Sequence, residues 1–270
     1  MTFLEILNYG FIQRAIIAGV LIAVLCSTLG LFLVLRRLSL IGDGLAHVTF
    51  GSVAIGMLLK VYPPYMAIPF TLLGGYGILK IIEKTRIYGD SAIGIISSAG
   101  IAIGILITSI TGGFNVDLFS YLFGNILTIK TEEVLISIFL TIFVIGSILI
   151  FYNQIVSTTF DEDLAKVSGI KTKRINTFLI LVTAITVVIA MRMVGILLVS
   201  SFLILPNVSA LQIAKNFKSA FFLSYIISIS SVIFGIIISI MLNLPTGATI
   251  VLFNLIIFTI LLIRKTILKN

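Results

Sequence analysis

The chain has 270 residues, 59% of them hydrophobic and 10% charged, with a mean hydropathy of +1.26 and a formal net charge of +8. A soluble domain carries about 25% charged residues, so too few are present here to cover a water-facing surface. The basic residues sit at the ends of apolar runs, with no aromatic–basic interleaving of the kind that marks a nucleic-acid groove, so the positive charge is a matter of membrane topology.

The apolar residues fall into runs near the length that crosses a hydrocarbon core. In chain order the predicted spans are 15–35, 44–59, 64–82, 91–110, 134–152, 175–191, 194–213, 219–241 and 246–263. The first holds Cys26, the only cysteine, which excludes an intramolecular disulfide. It runs directly into Arg36 and Arg37 without a small-residue cleavage site, so it reads as a span and not as a cleaved leader. Gly100 and Gly104 in the fourth span, and Ser52 and Gly56 in the second, place small residues four apart, a spacing that permits close helix contact in lipid. The stretch Asp117–Ile129 is too short and polar for a span and reads as a short or re-entrant helix. Pro206 and Asn207 are expected to break the seventh span.

Orientation follows from the lysines and arginines. An outside amino terminus puts fourteen at cytoplasmic ends, leaving Arg14, Lys60, Lys130 and Arg192 outside. The expected fold is all-α: a single polytopic membrane domain over 1–270, with eight to nine spans and a cytoplasmic carboxyl terminus.

Two stretches carry chemistry. In RRLSLIGDGLAH, Asp43 and His47 are four apart and share a helix face. Carboxylate and imidazole both suit zinc or manganese, and an aspartate at mid-membrane costs about 2.5–3.5 kcal/mol, which suggests use in an ion pathway. A second reading makes Asp43 a helix N-cap. In FDEDLAKVSGI, the acids Asp161, Glu162 and Asp163 open a short cytoplasmic helix that Gly169 closes, with Leu164, Ala165 and Val167 on a modest apolar face. That helix is either an ordinary surface helix or a docking element for a soluble partner. The chain has no GxxxxGK[ST] loop and one histidine, which excludes a self-sufficient ATPase and an HExxH protease.

RRLSLIGDGLAHVTFGSVAIG, DSAIGIISSAGIAIGI, DLFSYLFGNIL, FDEDLAKVSGI and VGILLVSSFLILP, in this order, resemble the zinc/manganese/iron permease family of ATP-binding-cassette importers over most of the chain. The resemblance implies a transport subunit of the bacterial plasma membrane. Two copies would pair with two ATP-binding-cassette subunits, which hydrolyse the ATP, and an extracytoplasmic metal-binding protein would deliver the ion. It implies no permanently bound cofactor, only the transported divalent metal ion. Asp43 and His47 match the family's second-span acid and histidine, which favours the metal reading over the cap. The segment 157–173, with Asp161, Glu162, Asp163, Leu164, Ala165 and Gly169, matches the part that couples to the ATPase. Asn207 departs from the small residues that often follow the span-seven proline in the family. Rival readings are a permease for a chelate such as a siderophore or cobalamin, and an ion-coupled secondary transporter.

Overall fold

The computed structural model describes residues 9–85, 87–110 and 129–267. Among these every regular element is a helix: α1 Gly10–Leu35, α2 Ile41–Leu58, α3 Pro63–Thr85, α4 Gly89–Ile110, α5 Thr131–Ile150, α6 Tyr152–Phe160, α7 Glu162–Val167, α8 Thr172–Val194, α9 Ile196–Ile213, α10 Phe217–Leu242 and α11 Thr246–Ile267. Nine of them, all but α6 and α7, are long and apolar enough to cross a membrane, and they coincide with the nine expected spans. The expected re-entrant helix at Asp117–Ile129 lies, but for Ile129, outside the described residues.

Local chemistry sets where the helices stop. The end of α1 is a Schellman motif: Arg37 N–H donates to the Val34 carbonyl (3.1 Å) and Leu38 N–H to that of Leu33 (2.9 Å). Such a motif needs a left-handed residue, and here the non-glycine Arg37 supplies it at φ 58°. A single residue, Gly195 at φ 84°, separates α8 from α9. Asn216 caps α10 by accepting from Ser219 N–H at 2.8 Å.

The interior is built on α1, α2, α8 and α9, while α4, α5 and α11 expose long apolar faces to the surroundings. Hydroxyls and amides tie the helices across this apolar interior. Thr28 Oγ1 meets Tyr225 Oη at 2.9 Å (α1 to α10), Ser224 donates to Asn207 at 2.7 Å (α10 to α9), and Ser231 to Asn254 at 2.8 Å (α10 to α11). Each such bond contributes roughly 0.6 kcal/mol in a membrane interior.

The expected break of the seventh span is corrected: α9 runs unbroken through Pro206. Proline removes one backbone donor, and the fully buried Asn207 adds one, donating from Nδ2 to the Leu203 carbonyl at 3.0 Å while accepting from Ser224. Asn207 is a structural residue here. The discontinuity falls at Gly195 instead.

Candidate functional site

Asp43 and His47 lie in the first half of α2, and the packing around them is close. A Cβ at Gly42 would sit 2.2 Å from Leu203 Cδ1 on α9, and one at Gly44 2.5 Å from Ile93 Cγ2 on α4. Further along, Gly100 of α4 lies against the α2 backbone, where a Cβ would meet the His47 carbonyl and the Val48 N and Cα at 2.8 Å. On the third side Thr49 Oγ1 meets Thr71 Oγ1 of α3 at 2.9 Å. Gly42 thus admits α9, and Gly44 and Gly100 admit α4, against α2, while the turn bearing Asp43 and His47 keeps an open side.

On that open turn His47 Nε2 stands 3.4 Å from Asp43 Oδ2, and Ser200 Oγ of α9 donates to Asp43 Oδ1 at 3.4 Å. Both contacts are at the long end of the hydrogen-bonding range, so neither ties the carboxylate down. The Asp43 side chain is 44% exposed and that of His47 25%, in a helix that is otherwise mostly buried. Capping does not account for Asp43: the N-cap of α2 is Leu40, and no side chain caps the helix. Asp43 is the third helical residue and faces His47 and Ser200. Sequence reading missed Ser200, which is 157 residues away, although its motif VGILLVSSFLILP was among those singled out. Among the described residues no group of three or more His, Cys, Asp or Glu side chains gathers to hold a metal ion. One chain thus offers two charged or imidazole ligands and a nearby hydroxyl.

The second candidate, α7, has the predicted form. Asp161 Oδ1 accepts from Leu164 N–H at 2.9 Å as N-cap, and Gly169, at φ 84°, closes a Schellman motif in which Ile170 N–H donates to the Ala165 carbonyl at 3.0 Å. The acids do not form a free anionic face. Lys166 Nζ lies 3.2 Å from Glu162 and 3.1 Å from Asp163, whose hydrogen bonds hold its ammonium above the usual lysine range. Leu164, 65% exposed, and Val167, 87% exposed, project beside these paired charges. Ala165, expected beside Leu164 on a common face, is instead buried and anchors the helix from beneath, because the two are adjacent in sequence and point apart on one turn.

The sequence pattern of the ABC 3 transport family matches residues 8–265. The chain belongs to that family. It is 34% identical over 261 residues to the manganese transport system membrane protein MntC of Listeria innocua, covering 96% of this chain and 93% of that one. It is 29% identical over 251 residues to the high-affinity zinc uptake system membrane protein ZnuB of Haemophilus influenzae, covering 93% and 96%. Among solved structures it superposes on PsaBC from Streptococcus pneumoniae in complex with Fab, at a TM-score of 0.86 and 32% identity over 99% of both chains. A metal-chelate-type ABC transporter in an inward-facing conformation shares the fold at a TM-score of 0.73 but only 15% identity. As a member of this family the chain is a multi-pass bacterial membrane protein and a permease component of an ATP-binding-cassette transporter.

Proposed function

We propose that this permease carries manganese or zinc inward and that Asp43 and His47 are the ligands that meet the ion on its path. The observation that carries the reading is the pair itself: a carboxylate and an imidazole, both partly exposed, four residues apart on one face of a mostly buried helix. The names of the relatives, manganese transport for MntC and zinc uptake for ZnuB, support the metal class. Two ligands per chain are too few for a closed tetrahedral site. A second copy facing the first across a two-fold axis brings the set to two carboxylates and two imidazoles. The long contacts around Asp43 suit a site that must release its ion as well as bind it.

In this reading ATP is hydrolysed by a separate cassette subunit that docks on α6–α7, an extracytoplasmic binding protein delivers the ion, and the amino terminus is outside. Arg14, Lys60, Lys130 and Arg192 then share the outer side. Arg192 pairs there with Glu133 at 3.3 Å and with the Tyr62 hydroxyl, and Arg14 donates to the Ile129 carbonyl at 3.1 Å.

The test is metal accumulation, with manganese, zinc and iron measured together in cells whose permease carries Asp43→Asn or His47→Ala. Accumulation of at least one of these ions is expected to fall by more than about tenfold at unchanged permease level, since losing even a group that only supports a ligand typically costs about 10- to 100-fold. Wild-type accumulation of all three by Asp43→Asn would remove the charged-ligand reading. Uptake that needed an organic chelator would point to a chelate permease.

A further inference from the structure

Arg36 is the last residue before the connector from α1 to α2, and its side chain does not stay with that connector. Nε donates to Thr159 Oγ1 at 2.9 Å, Nη1 to Asn176 Oδ1 at 2.5 Å and Nη2 to the Ile155 carbonyl at 3.2 Å. Two of the three acceptors belong to α6 and the third to the start of α8. Every guanidinium nitrogen is engaged, a fork geometry that a lysine ammonium does not reproduce. Burial pushes the guanidinium down to about 10, opposed by the charge of nearby Glu162 on α7, so it is still cationic at neutral pH.

The backbone on the other side of Arg36 is stiff. The Schellman bonds of Arg37 and Leu38 are followed by Ile41 N–H donating to the Leu38 carbonyl at 3.1 Å. Arg37 holds a left-handed conformation that costs a non-glycine residue roughly 1–2 kcal/mol and persists only where its surroundings impose it. Seven residues after Arg36 comes Asp43. A displacement of α6 therefore reaches the metal-site turn through one side chain and one braced connector. Beside the guanidinium lies a cleft of about 430 Å³, walled by Arg36, Arg37, Tyr88, Glu162 and Asn176 among others, which leaves α6–α7 room to shift.

We infer that Arg36 is the positioning residue that carries movement between the α6–α7 segment and the helix holding Asp43 and His47. The inference rests on the proposal that α6–α7 meets the ATPase. A purely structural brace and a transmitting strut differ in one readout, the number of ions moved per ATP hydrolysed.

The experiment uses the permease with its ATPase subunit in proteoliposomes, with manganese as the ion and the variants Arg36→Lys and Thr159→Val. Arg36→Lys keeps the charge and loses the fork, and Thr159→Val removes one acceptor at nearly constant shape. The ATPase is expected to co-purify at the wild-type level with both variants. Manganese moved per ATP is expected to fall at least about fivefold in Arg36→Lys, the lower end of site-to-site coupling strengths, and less in Thr159→Val. An unchanged ratio in both variants overturns the inference, whether or not the absolute rates drop. Loss of the ATPase from both complexes also overturns it, since Arg36 would then shape a docking surface and transmit nothing. Leu164→Glu tests the underlying reading separately: if that variant still retains the ATPase, the docking reading fails whatever Arg36 does.

Discussion

The carboxylate of Asp43 is held by two contacts of 3.4 Å, one to His47 on its own helix and one to Ser200 on α9. The serine contact is long and leaves the charge in place, which in the proposed site makes Ser200 an aid to positioning and not a principal ligand. Ser200→Ala is therefore expected to weaken manganese uptake only about two- to tenfold, the net scale of one ordinary hydrogen bond, with the half-saturating concentration rising more than the maximal rate falls. Uptake measured over a concentration series separates those two quantities. Asn207 lies in the same helix and answers a different demand. Asn207→Ala strands the buried Ser224 hydroxyl and leaves the Leu203 carbonyl one donor poorer. It is expected to destabilise the protein by about 1–3 kcal/mol, the usual penalty for a buried polar group left unpaired. Thermal unfolding in detergent should show the loss, with metal selectivity unchanged.

Among the elements, α2 depends on α4 for its position, and the dependence is carried by glycine. A methyl group at Gly100 would stand 2.8 Å from the backbone of α2 at His47 and Val48, and rigid backbone cannot yield as the end of a side chain does. Gly100→Ala is expected to cost about 1–3 kcal/mol as an overpacking change and to lower metal uptake by moving the His47 turn. Gly94→Ala on the same helix, where nothing lies within 4 Å of the added carbon, is the control and should be silent in both assays. The glycine spacing was legible in the sequence because it is local, and so were the span positions, the Asp43–His47 turn and both caps of α7, each fixed within a few residues of chain. The partners of Arg36 and the Ser200 contact of Asp43 were not, being 119 to 157 residues distant and set only by how the helices pack. The expected break at Pro206 did not occur: Asn207 adds a donor to the Leu203 carbonyl, and Ser224 of the next helix holds that amide in place. Nor did the pattern of α7 separate Leu164 from Ala165, because on a helix of six residues the inward side is decided by the neighbours it rests on.

At the scale of the whole molecule, the metal site proposed on the open turn of α2 asks for a second copy. The two ligands of one chain leave a divalent ion to be completed by water or backbone oxygens, whereas two chains related by a two-fold axis bring four protein ligands to a single ion. The alternatives differ in how a defective copy affects a sound one. Let wild-type and Asp43→Asn permease be made in equal amounts, distinguishable by tags, and pair at random. About one quarter of the dimers then hold two wild-type chains and about one half are mixed, as follows from isologous pairing of equivalent subunits. If the site is shared, every mixed dimer lacks one of its two carboxylates, and manganese uptake should fall to about one quarter of the all-wild-type level at equal total permease. If each chain carries its own site, the sound half of each mixed dimer still works and uptake should settle near one half, as it would if the chains worked singly. Isolating the mixed dimers through both tags sharpens the comparison, since a shared site predicts almost no transport from that fraction. Near-half-maximal transport by purified mixed dimers would show that Asp43 and His47 serve one chain at a time, and that the ion is completed by water or backbone on its way through.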